Sequence, residues 1–173
     1  MLLNPNWKNN WLNFNSLRMP PLGKKSPAFS LPDQDGKIRK LADYAGKWVL
    51  IYFYPKDDTP GCTIEACTIR DQFKDFKKIK AEVLGVSTDS VKSHKRFADA
   101  YELPFTLLAD EEKKMVEAYG VWGEKKMMGR TYMGTKRTSF LIDPKGVVRK
   151  IYENVKPRVH AGQVLEDLRE LQA

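Results

Sequence analysis

Apolar and polar positions along the chain alternate between extended and helical patterns. Residues 28–31 and 37–41 are short extended stretches on either side of Asp33-Gln34-Asp35-Gly36, which carries an Asp-Gly turn signal. Residues 48–54 form an unbroken apolar run, Trp48-Val49-Leu50-Ile51-Tyr52-Phe53-Tyr54, between Gly46 and Pro55. A run of β-branched and aromatic residues like this predicts a central strand covered on both faces. Ile69, Phe73, Phe76 and Ile79 then recur at helical spacing, with Arg70, Asp71, Lys74, Asp75 and Lys77 on the other side. Residues 83–87 predict a second buried strand. Residues 91–102 predict a helix with Phe97 and Tyr101 four apart and Pro104 as its stop. A short strand at 105–108 and a helix at 111–119, ending near Gly120, follow. Residues 138–142 and 147–152 read as a hairpin around Asp143-Pro144-Lys145-Gly146. Residues 161–171 read as a closing helix with Val164, Leu165, Leu168 and Leu171 on one stripe.

Strand and helix alternate through the middle of the chain, which requires a parallel portion with helices on its faces, and the late hairpin adds antiparallel strands. The expected fold class is therefore α/β: a thioredoxin-like sandwich with a mixed central sheet flanked by helices, forming a single domain over residues 21–173. Residues 120–137 have no period and read as a long loop. Loops of that length are uncommon in compact domains and often functional. Residues 1–20 stand apart as a non-core N-terminal extension. The first eighteen hold six Asn, Trp7 and Trp11, one Lys, one Arg and no acidic residue. Met19 offers an alternative start, and an Asn-rich arm docking through its aromatics is the other reading. Neither a secretory signal nor a transit peptide is recognisable there, since the longest apolar run is Met1-Leu2-Leu3.

The charge of +8 raises the question of a polyanion partner. The basic residues occur in short pairs, such as Lys77-Lys78 and Lys113-Lys114, interleaved with Asp and Glu, and no nucleic-acid-binding signature accompanies them. A solvated basic surface is the simpler reading. No apolar window of transmembrane length exists. Two cysteines cannot build a four-cysteine zinc site, and two histidines leave little for a His-rich metal centre.

Chemistry concentrates in Pro55-Lys56-Asp57-Asp58-Thr59-Pro60-Gly61-Cys62-Thr63-Ile64-Glu65-Ala66-Cys67, between the carboxyl end of the strongest strand and the following helix. In open α/β sheets that crevice is where ligands bind. Cys62 falls in the first helical turn, where free backbone N–H groups and the helix dipole favour an anion. For a cysteine the anion is the thiolate, the nucleophilic form. A buried helix-start cysteine packing as a small hydrophobe is the competing reading. Cys67 lies five residues further on, so ideal helix geometry puts the two Cα atoms roughly 8–9 Å apart. That exceeds the reach of a disulfide, about 7 Å at most. A bond between them requires the helix end to unwind, which suits a transient bridge better than a static one. Thr59 can reach over the helix start as hydrogen-bond donor and acceptor. Pro55 and Pro60 shape the loop and remove competing backbone donors. Arg137, directly before the strand at 138–142, is the candidate for a fixed positive charge, with Arg70 and Arg130 as rivals. Glu65 either tunes Cys62 or favours the dipole from the first turn. Trp122, Met127, Met128 and Met133 either rim the pocket or pack ordinarily.

The spacing Pro55-x3-Thr59-x2-Cys62, with a distant Arg137, resembles the active-site pattern of the peroxiredoxins. Residues 52–71, Val86-Ser87-Thr88-Asp89, Gly120-Val121-Trp122-Gly123-Glu124-Lys125 and residues 137–143 are similar to its bacterioferritin comigratory, or Q-type, branch. The likeness covers residues 21–171. It implies that Cys62 is the peroxidatic cysteine and Cys67 the intramolecular resolving one, with Pro55, Thr59 and Arg137 completing the peroxide pocket. It further implies reduction of hydrogen peroxide and organic hydroperoxides, recycling by thioredoxin or glutaredoxin, no cofactor, a monomer, and a cytoplasmic location without membrane or specific nucleic-acid partners. A thiol–disulfide exchange protein is the nearest alternative, but it usually carries Cys-x-x-Cys, and here four residues intervene. A basic nucleic-acid-associated protein is the other alternative.

Overall fold

The computed structural model describes residues 18–173, so residues 1–17 of the Asn-rich start lie outside the described residues. The first half of the chain forms β1 (Ser30–Pro32), β2 (Ile38–Lys40), β3 (Trp48–Phe53), α1 (Pro60–Asp71), α2 (Phe73–Lys78) and β4 (Ala81–Ser87). It continues through α3 (Val91–Ala100), β5 (Thr106–Ala109), α4 (Lys114–Ala118), β6 (Trp122–Met127) and β7 (Arg130–Thr135). It closes with β8 (Thr138–Ile142), β9 (Val148–Tyr152) and α5 (His160–Gln172).

The central sheet has the order β5-β4-β3-β8-β9. β3, β4 and β5 run parallel to one another, while β8 is antiparallel to both β3 and β9. This is the mixed sheet expected from the element order. Alternation along β3 divides the core in two. Leu50 and Tyr52 face α1, α2, α3 and α5, and pack with Ile69, Phe76, Phe97 and Leu168. Val49, Ile51 and Phe53 face α4 and the β1–β2 hairpin, and pack with Phe29, Met115, Tyr119 and Phe140. The five β3 residues from Val49 to Phe53, and Tyr54 after them, are therefore buried, which is why the run carries no polar position. Gly85 pairs with Tyr52 across β3 and β4, and a Cβ there would come within 2.8 Å of the Tyr52 ring and of Leu107. The absent side chain gives the tyrosine its place.

Three expectations need correction. Residues 120–137 are not an aperiodic loop: β6 and β7 pair antiparallel over their whole lengths. The two are joined at Met128 and Gly129, both with positive φ, 51° and 76°. That is the geometry of a two-residue primed turn. The hairpin stands off the main sheet with most side chains exposed, so no apolar alternation marks it. The single helix expected to carry Ile69, Phe73, Phe76 and Ile79 is divided: α1 stops at Asp71, and Gln72, with ψ 10°, turns the chain into α2. The helix expected from 111 begins only at Lys114, because Lys113 adopts φ 62°, and it ends at Ala118. No helix among the described residues is long and apolar enough to cross a membrane.

Candidate active site

Thr59 is the extended N-cap residue of α1, and Pro60 occupies the first helical position, where its fixed φ fits and its missing N–H costs nothing. The first helical hydrogen bond, from Thr63 N to Thr59 O, is 2.9 Å. The backbone N–H groups of Gly61 and Cys62 lie ahead of it, among those a helix leaves without an internal acceptor. Cys62 therefore sits at the positive end of α1, as expected from the sequence, and its side chain is 1% exposed. It packs against the same cluster as Tyr52, Tyr54 and Ala66.

Arg137, between β7 and β8, reaches this cysteine from 75 positions away. Its Nη2 donates to Cys62 Sγ at 3.3 Å and its Nη1 donates to Glu65 Oε2. Glu65 is fully buried, one turn after Cys62, and its Oε1 has no partner among the described residues. Burial pushes the Glu65 carboxyl up to about 7, and Arg137 restrains the rise. Burial also opposes the charge on Arg137, but Glu65 and Cys62 outweigh it and hold the guanidinium above its usual range. The rival arginines are elsewhere. Arg70 pairs with Asp71 and donates to Tyr101 O at 2.8 Å, and Arg130 is exposed at the start of β7.

A cleft of about 490 Å³ opens beside Arg137. Pro55, Thr59 and Gly61 line one side, and Trp122, Lys125, Met127, Tyr132 and Met133 of the β6–β7 hairpin line the other. Thr59 Oγ1 donates to Lys56 O at 2.8 Å, so toward the cleft it presents lone pairs. Met128, 97% exposed at the hairpin turn, is not among the lining residues. Lys125 donates to Thr135 O, and burial together with Arg137 lowers its pKa. His160, beneath Arg137 at the start of α5, bonds Ser139 Oγ at 2.8 Å. Burial and Arg137 push its pKa down to about 4, so it stays neutral. Cys67 lies half-buried on the same continuous helix as Cys62, and both are free thiols.

The structure thus brings Pro55, Thr59, Cys62 and Arg137 together. It adds Glu65 as the partner of Arg137, Tyr132 as part of the cleft wall, and a buried Asp57–His94 contact behind the loop. Only the hairpin turn could have revealed Tyr132, and no local pattern announces Asp57.

Gly61 carries a testable consequence. A Cβ at this position would lie 3.0 Å from Arg137 Nη2, whose guanidinium is already fixed by Glu65 and Cys62. Gly61→Ala is expected to displace the guanidinium and, on the peroxidase activity that the sequence resemblance implies, to slow peroxide consumption about tenfold, with a melting temperature near that of the parent. Rapid-quench measurement on the pre-reduced enzyme checks this.

A buried cysteine at a helix start, with a guanidinium on its sulfur and a thioredoxin-like sandwich around them, is the setting of a thiol-dependent peroxidase. The AhpC/TSA family model matches residues 22–151. Peroxiredoxin Bcp of Escherichia coli is 49% identical over 154 residues, covering 88% of this chain and 99% of that protein. Peroxiredoxin Bcp of Bacillus subtilis is 44% identical over 150 residues, covering 87% and 96%. Among solved structures, the bacterioferritin comigratory protein of Xanthomonas campestris, studied for its alkyl peroxide reduction activity, superposes with a TM-score of 0.80 at 38% identity. The match covers 84% of this chain and 92% of that one. The PrxQ of Xylella fastidiosa reaches a TM-score of 0.85 at 33% identity, over 90% and 99%. The chain belongs to the AhpC/TSA family, among its Bcp and Q-type peroxiredoxins, and is a peroxidase of the oxidoreductase class that draws on a thiol reductant.

Proposed function

We propose that this enzyme reduces hydrogen peroxide and organic hydroperoxides through Cys62 and Cys67, and that thioredoxin, or glutaredoxin, returns it to the dithiol. The observation that carries the reading is Arg137 Nη2 on Cys62 Sγ at the N-terminus of α1. The thiolate of Cys62 attacks one oxygen of ROOH. A sulfur–oxygen bond forms, the O–O bond breaks, and the departing RO⁻ takes a proton to leave as ROH. Arg137 stabilises charge on the oxygens as it develops, and Thr59 accepts from the hydroperoxide O–H. Cys67 then attacks the Cys62 sulfenic sulfur, forming the disulfide and releasing water. The first turns of α1 unwind in that step, because two Cα atoms five apart in a helix are roughly 8–9 Å from one another.

The apolar wall of Trp122, Met127, Tyr132 and Met133 suits the organic part of an alkyl hydroperoxide. The Xanthomonas relative's alkyl peroxide reduction activity supports the same substrate class. The working unit is one domain over residues 21–173, with Met19 and Pro20 just before it packed onto the same body, acting as a cytoplasmic monomer with no specific nucleic-acid partner.

Cys67→Ser tests the assignment. It is expected to consume about one equivalent of peroxide per enzyme and then stall with thioredoxin as donor, leaving sulfenic acid on Cys62. Sustained turnover by that variant, or oxidised wild-type protein without a Cys62–Cys67 bond by mass spectrometry, overturns it.

A further inference from the structure

Asp57 is the one buried side chain in the loop from Pro55 to Thr59, at 6% exposure. Three side chains converge on its carboxylate. Tyr54 Oη donates to Oδ1 at 2.6 Å, and Ser93 Oγ donates to Oδ2 at 2.8 Å. His94 Nδ1 lies 2.7 Å from Oδ2. The Asp57 backbone N–H donates to Asp89 Oδ2 at 2.9 Å. His94 is fully buried on α3, and its Nε2 lies 2.9 Å from Leu108 O in β5. A carbonyl only accepts, so Nε2 is the donor in the contact with Leu108 O. Asp57, Asp89 and His94 offer atoms within 4.8 Å of one another. Each is already committed to these hydrogen bonds, so the cluster is a network and not a vacant cation site.

The network lies directly behind the peroxide-binding loop. Asp58, next in sequence, takes φ 62°, in the left-handed region that aspartate enters more readily than most non-glycine residues, and turns the chain into the helix start. Thr59 follows as the N-cap of α1. Fixing Asp57 therefore fixes the direction of Thr59 and the start of the helix that bears Cys62. We propose that Asp57 and His94 are a positioning pair for peroxide attack, tying the loop that presents Thr59 and Cys62 to α3 and β5. The proposal rests on the role given to Cys62 above.

Two His94 variants separate positioning from plain stability. The amide of Asn can replace Nδ1 and keep the bond to Asp57. The amide of Gln can replace Nε2 and keep only the bond to Leu108. Each loses one buried hydrogen bond, so a purely structural histidine predicts similar losses of melting temperature and of rate for both. Positioning predicts a split: at comparable melting temperatures, single-turnover attack of hydrogen peroxide on the reduced enzyme is about tenfold slower in His94→Gln than in His94→Asn. Equal rates in the two variants overturn the proposal.

Should either variant fail to fold, Ser93→Ala carries the test, since Ser93 is half-exposed and removes one donor from Asp57. A slower attack at an unchanged melting temperature supports the proposal, and an unchanged rate overturns it. Cys62→Ser in the same assay tests the underlying reading separately. Retained consumption there displaces the nucleophile whatever His94 does.

Discussion

Cys62→Ser consumes hydrogen peroxide no faster than buffer does. The serine hydroxyl is almost the same size but does not ionise at neutral pH, so the variant keeps the fold and loses the nucleophile. The site tolerates the change because Arg137 Nη2, 3.3 Å from Cys62 Sγ, can donate to a hydroxyl in its place. That bond offsets the cost of burying an unpartnered hydroxyl, otherwise about 1–3 kcal/mol. The expected result is therefore a folded protein with a melting temperature within a few degrees of the parent and no single-turnover peroxide loss. Cys67 remains in this variant as an internal control. It sits half-buried in the middle of α1, away from the free N–H groups and out of the buried cluster around Cys62. Residual consumption at more than background rate would mean that Cys67 can take the first step, and the roles of the two cysteines would have to be exchanged.

What was legible in the sequence follows from where information is local. The run from Trp48 to Tyr54 announces β3 because burial on both faces forbids polar residues. Thr59-Pro60-Gly61-Cys62 announces a helix start because proline at the first helical position and the cysteine two places later are fixed by covalent geometry and hydrogen bonding within five residues. The β6–β7 hairpin was illegible for the opposite reason. Its strands are held by hydrogen bonds to each other, and most of their side chains face solvent, so the pattern carries no period. Its turn residues, Met128-Gly129, were the remaining signal. The contact of Arg137 with Cys62 joins positions brought together only when β8 pairs with β3 and α1 packs against the same sheet. Local pattern could offer Arg137 as a candidate beside Arg70 and Arg130, but only the sheet decides among them. Asp57 and His94 are further from reach, since an Asp in a polar turn and a His on an amphipathic helix each have an ordinary solvated explanation.

Arg137→Ala has the second large effect, and it separates rate from stability. Removing a preorganised donor from the place where charge develops costs about 10²–10³-fold in rate. The loss should fall on peroxide attack, measured in single turnover, and leave later reduction of the disulfide unchanged. Stability responds differently with pH. Glu65 has a folded pKa of about 7, raised by burial against an ordinary value of 4.5. As pH rises between those values the unfolded chain gives up its proton while the folded chain keeps it, so this group's contribution to stability is full below the lower value and is lost on approaching the upper one. Arg137 is what restrains that rise. Without it the folded pKa of Glu65 moves higher still, and the window in which stability falls extends upward beyond neutrality. Urea unfolding of Arg137→Ala should therefore lie close to the parent at about pH 6, where Glu65 is largely neutral in both, and fall progressively further below it toward about pH 9. A deficit of the same size at both ends of that range would mean that Arg137 stabilises through packing alone. A preserved attack rate would remove it from the peroxide pocket.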